Sequence, residues 1–175
     1  MVLNRRLYFM KRWYERAKSD LDPFDTFFHL WIALVVAAQR RRTYTGVPFR
    51  EIYSDREKVL DYFRAHSRAI LEVLEKHRDI MTALAGRQGP RYKQAILDTR
   101  SLRLRAVFSD LAAHYTRGLP LSEEYHVEAV GELINKIRIN LFTGFDVYDD
   151  HDDIELLQLV NPLLLEILER CEGLK

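Results

Sequence analysis

The sequence has little of what several protein classes require. It contains one cysteine, Cys171, so it cannot form an internal disulfide or a cysteine-based metal site. Its longest uninterrupted apolar run, Leu30 to Ala38, is too short to span a bilayer. No fixed-period repeat, low-complexity segment or Walker-type phosphate loop is present. These absences exclude disulfide scaffolds and membrane-spanning helices, and the single cysteine fits a cytoplasmic protein.

The chain has 175 residues, the length of one domain, and a net charge of +1 that conceals an uneven distribution. Residues 1–56 hold 11 basic and 6 acidic side chains, and residues 57–119 hold 12 and 7, so each segment carries +5. Residues 120–175 hold 4 and 13, a net charge of −9. One interpretation is a basic surface that binds nucleic acid. The other, which we favour, is that the oppositely charged parts attract each other on folding.

Apolar side chains recur at helical spacing along the chain, which predicts an all-α, single-domain bundle of five to seven helices over residues 1–175. The predicted helices cover residues 3–18, 23–42, 55–66, 68–85, 102–117, 123–143 and 152–172. Asp22 is the predicted cap of the second helix, and Ser54 and Glu57 form a capping box before the third. Ser67 is predicted to cap the fourth helix.

Two features interrupt the helical pattern. Residues 86–92 contain two glycines and one proline, which predicts a mobile loop. Pro162 lies inside the last helix and should kink or split it. That helix has more apolar surface than one face needs, which indicates a partner helix or a homodimer.

The N-terminal segment, residues 1–20, reads as a basic helix rich in aromatic side chains. Rings among cations suit nucleic acid, because bases stack on rings and cations neutralise phosphate. Aromatic side chains at helical spacing more often face a core, however, so we favour an interpretation in which Trp13 packs inward. His29, inside the apolar second helix, is likewise interpreted as a hydrogen-bonded core residue.

Three consecutive arginines, Arg40, Arg41 and Arg42, close the second helix. Cations at a helix C-terminus interact favourably with the helix dipole, which gives these residues a structural role. A contact with RNA phosphate is an equally weighted alternative for all three.

One helix carries the residues that point most directly to a function. Its apolar residues fall at alternating three- and four-residue steps, on one face: Val127, Val130, Ile134, Ile137 and Leu141. Arg138 lies at the edge of that face, where a buried guanidinium needs an anion or acceptors. Asn140 adds an amide nearby, and Gly144 suits the left-handed residue that ends a helix.

Residues 137–144, Ile-Arg-Ile-Asn-Leu-Phe-Thr-Gly, resemble the signature I-R-x-N-L-F-H-G of HEPN domains. Residues 24–38 resemble the F-x-x-F-x-x-x-W-I-A helix of that family, and residues 152–168 resemble its closing helix. HEPN proteins are helical, common in prokaryotic toxin–antitoxin and anti-phage systems, and many are metal-independent ribonucleases. The resemblance therefore implies a HEPN-like fold, a homodimer and no cofactor.

The sequence departs from the family at the catalytic histidine, whose position is occupied by Thr143. In the family, the histidine moves protons while the arginine handles charge on the phosphate. Arg138 and Asn140 would still hold a phosphate, but a threonine hydroxyl does not titrate near neutral pH. His151 is the best candidate for a substitute base, ahead of His114 and His126.

Residues 145–153, FDVYDDHDD, hold five aspartates and one histidine and invite a metal interpretation. Adjacent residues point most of their ligands apart, and acidic residues belong at the start of a helix, so we expect no metal site.

Three functions remain open from the sequence. The preferred one is a degenerate HEPN-like protein, a homodimer that binds RNA or a partner protein, such as an antitoxin or effector, without cutting RNA. The alternative is an active metal-independent endoribonuclease, a toxin or defence effector with a substitute base. The third is a structural helical adaptor in which Arg138 makes only an internal ion pair.

Overall fold

The computed structural model of the chain describes residues 2–44, 54–86, 117–118, 123–143 and 151–174. Within these ranges the fold is all-helical, which confirms the predicted fold class. The helices are α1 (Val2–Ser19), α2 (Pro23–Tyr44), α3 (Asp55–Ala65), α4 (Ser67–Lys76), α5 (Arg78–Gly86), α6 (Glu123–Thr143) and α7 (His151–Glu172). None of these helices is long and apolar enough to cross a membrane. The predicted loop at 86–92 beyond Gly86 and most of the predicted helix at 102–117 lie outside the described residues.

Helix α2 occupies the centre of the described bundle, in contact with α1, α3 and α7. Its side chains Phe27, Leu30, Ala33 and Leu34 are fully buried, as expected for a helix that is apolar nearly all round. Helix α6 packs against α3 and α4, and α7 packs against α2, α4 and α5. The core therefore lies between α2, α7 and the faces of α3, α4 and α6 that meet them.

The predicted caps of α2 and α3 are confirmed. The Asp22 carboxylate accepts hydrogen bonds from the backbone N–H groups of Phe24 and Asp25, at 2.8 and 3.1 Å. Ser54 and Glu57 form both bonds of the capping box. These local signals fix where the two helices begin, because each cap satisfies N–H groups that have no partner within the helix.

The prediction of a single helix over residues 68–85 is wrong. Helix α4 ends at Lys76 and α5 begins at Arg78, with His77 between them. The apolar pattern continues across this break, so periodicity gave no sign of it. His77 Nε2 is bonded to the Glu166 carboxylate of α7. The predicted Ser67 cap is also wrong, since Ser67 is already helical and the N-cap is His66, whose side chain makes no capping hydrogen bond.

Helix α7 continues through Pro162 and is not split. Proline has no backbone N–H, so the Gln158 carbonyl lacks the hydrogen bond that residue 162 would otherwise donate to it. Pro162 and Gln158 are both exposed, so water can hydrate that carbonyl. The neighbouring Asn161 is buried, and its Nδ2 donates a 2.8 Å hydrogen bond to the Pro23 carbonyl at the start of α2.

Acidic side chains of the last third bind partners in the first two thirds of the chain. The pairs are Glu128 with Arg64, Glu132 with Arg56, Glu166 with Lys76 and His77, Glu169 with Tyr14, and Glu172 with Arg40 and Tyr62. In the described part of the chain, these contacts join the acidic last third to the first two thirds, in line with the favoured interpretation.

Candidate functional site at Arg138

Helix α6 presents its apolar face to the bundle and leaves Arg138 at the edge, as predicted. Val130, Ile134 and Ile137 are buried, while Arg138 is half-buried. The helix reaches its position because Gly131 faces α3. A Cβ atom there would lie 3.2 Å from side-chain atoms of Leu60 and Phe63, closer than most real contacts. The absence of a side chain at this one residue lets α6 approach α3 closely.

Two described side chains hold the Arg138 guanidinium. Its Cζ atom lies 5.1 Å from the centre of the Trp31 ring, within the range of a cation–π interaction. Its Nη2 atom donates a 3.1 Å hydrogen bond to Asn135 Oδ1, one helical turn earlier. Trp31 and Asn135 are themselves buried, at 5% and 3% exposure, so neither moves freely. The guanidinium is therefore held in place from two directions.

The charge of Arg138 is not neutralised by any carboxylate in the described part of the chain. Its Nε atom is buried and lacks a hydrogen-bond partner among the same residues. A guanidinium has five N–H donors, and the single described acceptor, Asn135, meets one of them. The arrangement positions a cation and leaves donors for a further acceptor.

Asn140 and Thr143 both lie on α6, after Arg138, but their side chains are outside the described ones. The phosphate-positioning role of Asn140 and the degenerate catalytic position at Thr143 stay predictions. Gly144 also lies outside the described residues.

The histidines are spread over the described bundle. His151 is the first residue of α7, with its side chain 83% exposed and its Nε2 3.0 Å from Glu155 of the same helix. His126 is buried in α6, twelve residues before Arg138 and thus about 18 Å along the helix. His29 is bonded to Asp20, as expected of a partly buried histidine. None of the described contacts of Arg138 is with a histidine, and His114 lies outside the described residues.

The arginines that close α2 differ in what surrounds them. Arg40 forms an ion pair with Glu172, whose side chain is only 3% exposed. This pairing favours the structural role of Arg40 over a phosphate contact. Arg41 is half-buried, and the Arg42 side chain is outside the described ones, so their predicted contacts with RNA stay predictions.

The pair of Arg40 and Glu172 belongs to a cluster that contains the lone cysteine. Tyr62 donates a 2.9 Å hydrogen bond to Glu172, and burial together with nearby Cys171 and Glu172 raises the pKa of Tyr62. Burial raises the pKa of the Cys171 thiol to about 12. The thiol is therefore protonated at neutral pH and is a poor nucleophile. In the described residues, no group of three or more His, Cys, Asp or Glu side chains has a metal-binding arrangement.

Sequence reasoning missed the aromatic surroundings of Arg138. Phe142 follows one turn later on α6, and its ring lies 5.6 Å from that of Phe28 on α2. These rings are 46% and 41% exposed. Helical spacing alone could have paired Asn135 with Arg138, but the contacts with Trp31 and Phe28 depend on how α2 and α6 meet.

The chain matches no protein-family model, and no curated protein or solved structure is significantly similar to it. The resemblance to HEPN domains therefore rests on residues 137–144, 24–38 and 152–168 and on the order of the helices. Membership of that family stays a prediction.

Proposed function

We propose that this chain is a degenerate HEPN-like protein that binds RNA through Arg138 and does not cleave it. The homodimer and the prokaryotic defence or toxin–antitoxin setting belong to the same proposal, through the resemblance of residues 137–144. The observation that supports it most is the Arg138 guanidinium, held by Trp31 and Asn135 without a described carboxylate partner.

A positioned arginine suits a phosphate. Hydrogen bonds between a guanidinium and phosphate oxygens are charge-assisted and directional, because the N–H groups form a planar fork. Immobilising a long side chain on binding normally costs about 0.5–1.5 kcal/mol, and contacts with Trp31 and Asn135 reduce that cost in advance.

Two observations on Arg138 and Thr143 support the part of the proposal that excludes cleavage. Cleavage without metal requires a base for the ribose 2′-hydroxyl and an acid for the leaving oxygen, and general acid–base catalysis contributes roughly 10²–10⁴ in rate. Thr143 stands where the family has histidine, and the described contacts of Arg138 include no histidine. These observations favour binding over the active endoribonuclease.

The structural adaptor is less well supported. It requires Arg138 to be neutralised inside the protein, and no described carboxylate does so. Arg40 has what the adaptor would require, a nearly buried carboxylate partner in Glu172.

Binding is tested with fluorescently labelled single-stranded RNA and fluorescence anisotropy. Arg138→Gln removes the charge but keeps most of the side-chain stem. It should weaken binding about tenfold and lower the salt dependence by the equivalent of one phosphate contact. The matched control is Arg56→Gln, which removes the same charge from an arginine already paired with Glu132. Its binding should stay within about twofold of the natural protein, and equal losses in both variants would contradict a specific role for Arg138.

Cleavage is tested on a mixed RNA pool with EDTA present. The natural protein should leave the RNA intact, whereas Thr143→His should restore cutting if Thr143 is the lost catalytic position. Metal-independent cutting by the natural protein that disappears in Arg138→Gln would overturn the proposal in favour of an active endoribonuclease with a substitute base, and His151→Ala would then identify that base.

A further inference from the structure

A row of ring contacts runs from α6 to α1, with two exposed rings, Phe142 and Phe28, at its α6 end. Phe142 of α6 contacts Phe28 of α2 at 5.6 Å between ring centres, and Phe28 lies 5.7 Å from His29. His29 in turn lies 5.2 Å from the half-buried Trp13 ring of α1. We call these four residues, Phe142, Phe28, His29 and Trp13, the aromatic strip. It joins the consecutive helices α1 and α2 to α6, which lies about a hundred residues later in the chain.

A cation stands at each end of the aromatic strip. At one end, Arg138 precedes Phe142 by one helical turn. At the other, the exposed guanidinium of Arg16 lies 5.6 Å from the centre of the Trp13 ring. Helix α1 contains Glu15 as its only acidic residue. It carries four more exposed cations besides Arg16: Arg5, Lys11, Arg12 and Lys18.

In the described part of the chain, two carboxylates near the aromatic strip are engaged in the fold. Asp20 is bonded to His29, which fixes that ring, and Asp22 caps α2. Asp25 is the exposed aspartate of this turn. Among the described residues near the strip, the exposed carboxylates Asp25 and Glu15 are outnumbered by the exposed cations of α1.

We propose that the aromatic strip is a stacking platform for single-stranded RNA, whose phosphates are contacted by Arg138 at one end and Arg16 at the other. This inference rests on the proposed function, because it takes Arg138 as a phosphate contact and adds the path and the class of RNA. Bases of a single strand stack on protein rings in a way that tolerates any sequence, and cations beside the rings follow the backbone. A duplex hides its base faces and cannot use the rings in this way.

The other occupant to consider is a second copy of this chain, since Phe28 and Phe142 form an exposed apolar pair. Charge favours RNA, because two copies would bring together like-charged ends with Arg16 and Arg138. The two occupants also respond differently to leucine. Leucine preserves apolar contact area, which a dimer uses, but removes the ring face on which a base stacks.

The test compares the natural protein with the double variant Phe28→Leu and Phe142→Leu. Binding to a labelled 12-nucleotide single-stranded RNA and to a 20-base-pair RNA duplex is measured over a range of salt concentrations. The double variant should bind the single strand at least about tenfold more weakly. Its salt dependence should be unchanged, because no charge is removed, and its duplex binding should match that of the natural protein.

The matched control is Tyr8→Leu, an aromatic side chain of α1 that is 63% exposed and lies outside the aromatic strip. Its single-strand binding should stay within about twofold. Thermal unfolding of each variant verifies the fold, and size-exclusion chromatography reports the oligomeric state.

Several outcomes would overturn the inference, and they differ from failure of the proposed function. Normal single-strand binding by the double leucine variant, together with weak binding by Arg138→Gln, would contradict a role of the aromatic strip in RNA binding but not the proposed function. Equal losses in the double variant and Tyr8→Leu would show that binding is not localised to the strip. A dimer that survives the leucine variant but dissociates in Phe28→Ala and Phe142→Ala, with RNA binding unaffected, would assign the face to a second copy. Absence of any RNA binding by the natural protein would remove both proposals.

Discussion

Arg40 and Arg138 are both partly buried arginines of the described bundle, and they are held in opposite ways. Arg40 meets the Glu172 carboxylate, which has only 3% of its side chain exposed, at the end of α7. Arg138 meets the face of Trp31 and the amide oxygen of Asn135. The first arrangement neutralises the cation, and the second orients it while leaving its charge in place.

The comparison separates two uses of the same side chain. A paired arginine contributes to the fold, and its loss leaves a carboxylate buried without its counter-charge. An arginine on a ring and an amide gains less stability, but an approaching anion does not have to displace a carboxylate to reach it. Loss of the Arg40 pair should therefore reduce mainly the stability of the fold, and loss of Arg138 should reduce mainly the affinity for RNA.

The largest effect is expected at the paired arginine. Glu172→Ala removes the partner of both Arg40 and Tyr62, and the free energy of unfolding should fall by about 3–5 kcal/mol. Urea unfolding measures the loss. Glu155→Ala is the control, because that carboxylate pairs with the exposed His151 and should cost under about 1 kcal/mol. Similar losses of stability in the two variants would show that the contacts of Glu172 contribute no more to the fold than an exposed pair does.

A second change acts on the depth of α6. Gly131→Val adds atoms where a Cβ alone would already lie 3.2 Å from Leu60 and Phe63, and it should destabilise the fold by about 1–3 kcal/mol. It should also move Arg138 relative to Trp31 and weaken RNA binding. Gly131→Ala should cost less, since helix propensity gains up to about 1 kcal/mol and the neighbours need to give only slightly. A valine variant as stable as the natural protein would show that the close approach is not required.

A smaller loss of stability is expected at Arg138 itself. Arg138→Gln removes a cation–π contact worth about 0.5–1 kcal/mol and a hydrogen bond to buried Asn135 worth about 0.5–1.5 kcal/mol, so the free energy of unfolding should fall by about 1–2 kcal/mol. Urea unfolding beside Glu172→Ala makes the comparison direct. A loss as large as that of Glu172→Ala would mean that Arg138 is a fold element like Arg40.

The smallest effect is a pH dependence of stability that arises at His66, near Arg40 and Glu172. Burial, with smaller contributions from Arg41 and Arg40, lowers the pKa of His66 against the opposing effect of Glu172; the His66 ring lies 4.5 Å from that of Tyr62. The unfolded chain then binds the proton more readily. Stability should be full above the ordinary histidine pKa of about 6.5 and should decline as the pH falls below it. Thermal unfolding between pH 7.5 and 5.5 measures the decline.

The control for this pH dependence is His66→Phe, which keeps a ring against Tyr62 but cannot take up a proton. The variant should lose less stability than the natural protein over the same pH range, and an unchanged decline would exclude His66 as its source. Glu166 acts at lower pH. Burial alone would raise its pKa, but hydrogen bonds from Lys76 and His77 lower it, so its contribution is lost only as carboxylates protonate.

Local features of the fold were predictable from the sequence, and tertiary ones were not. Asp22, Ser54 and Glu57 act within four residues of their partners, so their patterns are visible in the chain. The inward face of α1, with Met10 and Tyr14 buried, follows from helical spacing. The break at His77 was missed because the apolar pattern runs through it.

The candidate site was predictable to the same limited depth. The position of Arg138 at the edge of the apolar face could be derived from spacing within α6. What holds it could not, because Trp31 comes from a helix more than a hundred residues away. Likewise, the sequence around Arg40, which forms an ion pair with Glu172, does not distinguish it from an arginine that binds phosphate.

The bonds that join α7 to the first two helices also constrain the order of events during synthesis. Tyr14 with Glu169, Pro23 with Asn161, and Arg40 with Glu172 are separated by 155, 138 and 132 residues. Helices α1 and α2 are synthesised before α7 and can pack against each other, but the faces that they bury against α7 stay uncovered until α7 is made. Closing such large loops is entropically costly and slow compared with forming a single helix. The nascent chain therefore exposes the side of α2 that packs on α7 until α7 has been synthesised, and a chaperone that shields this side should raise the yield of folded protein.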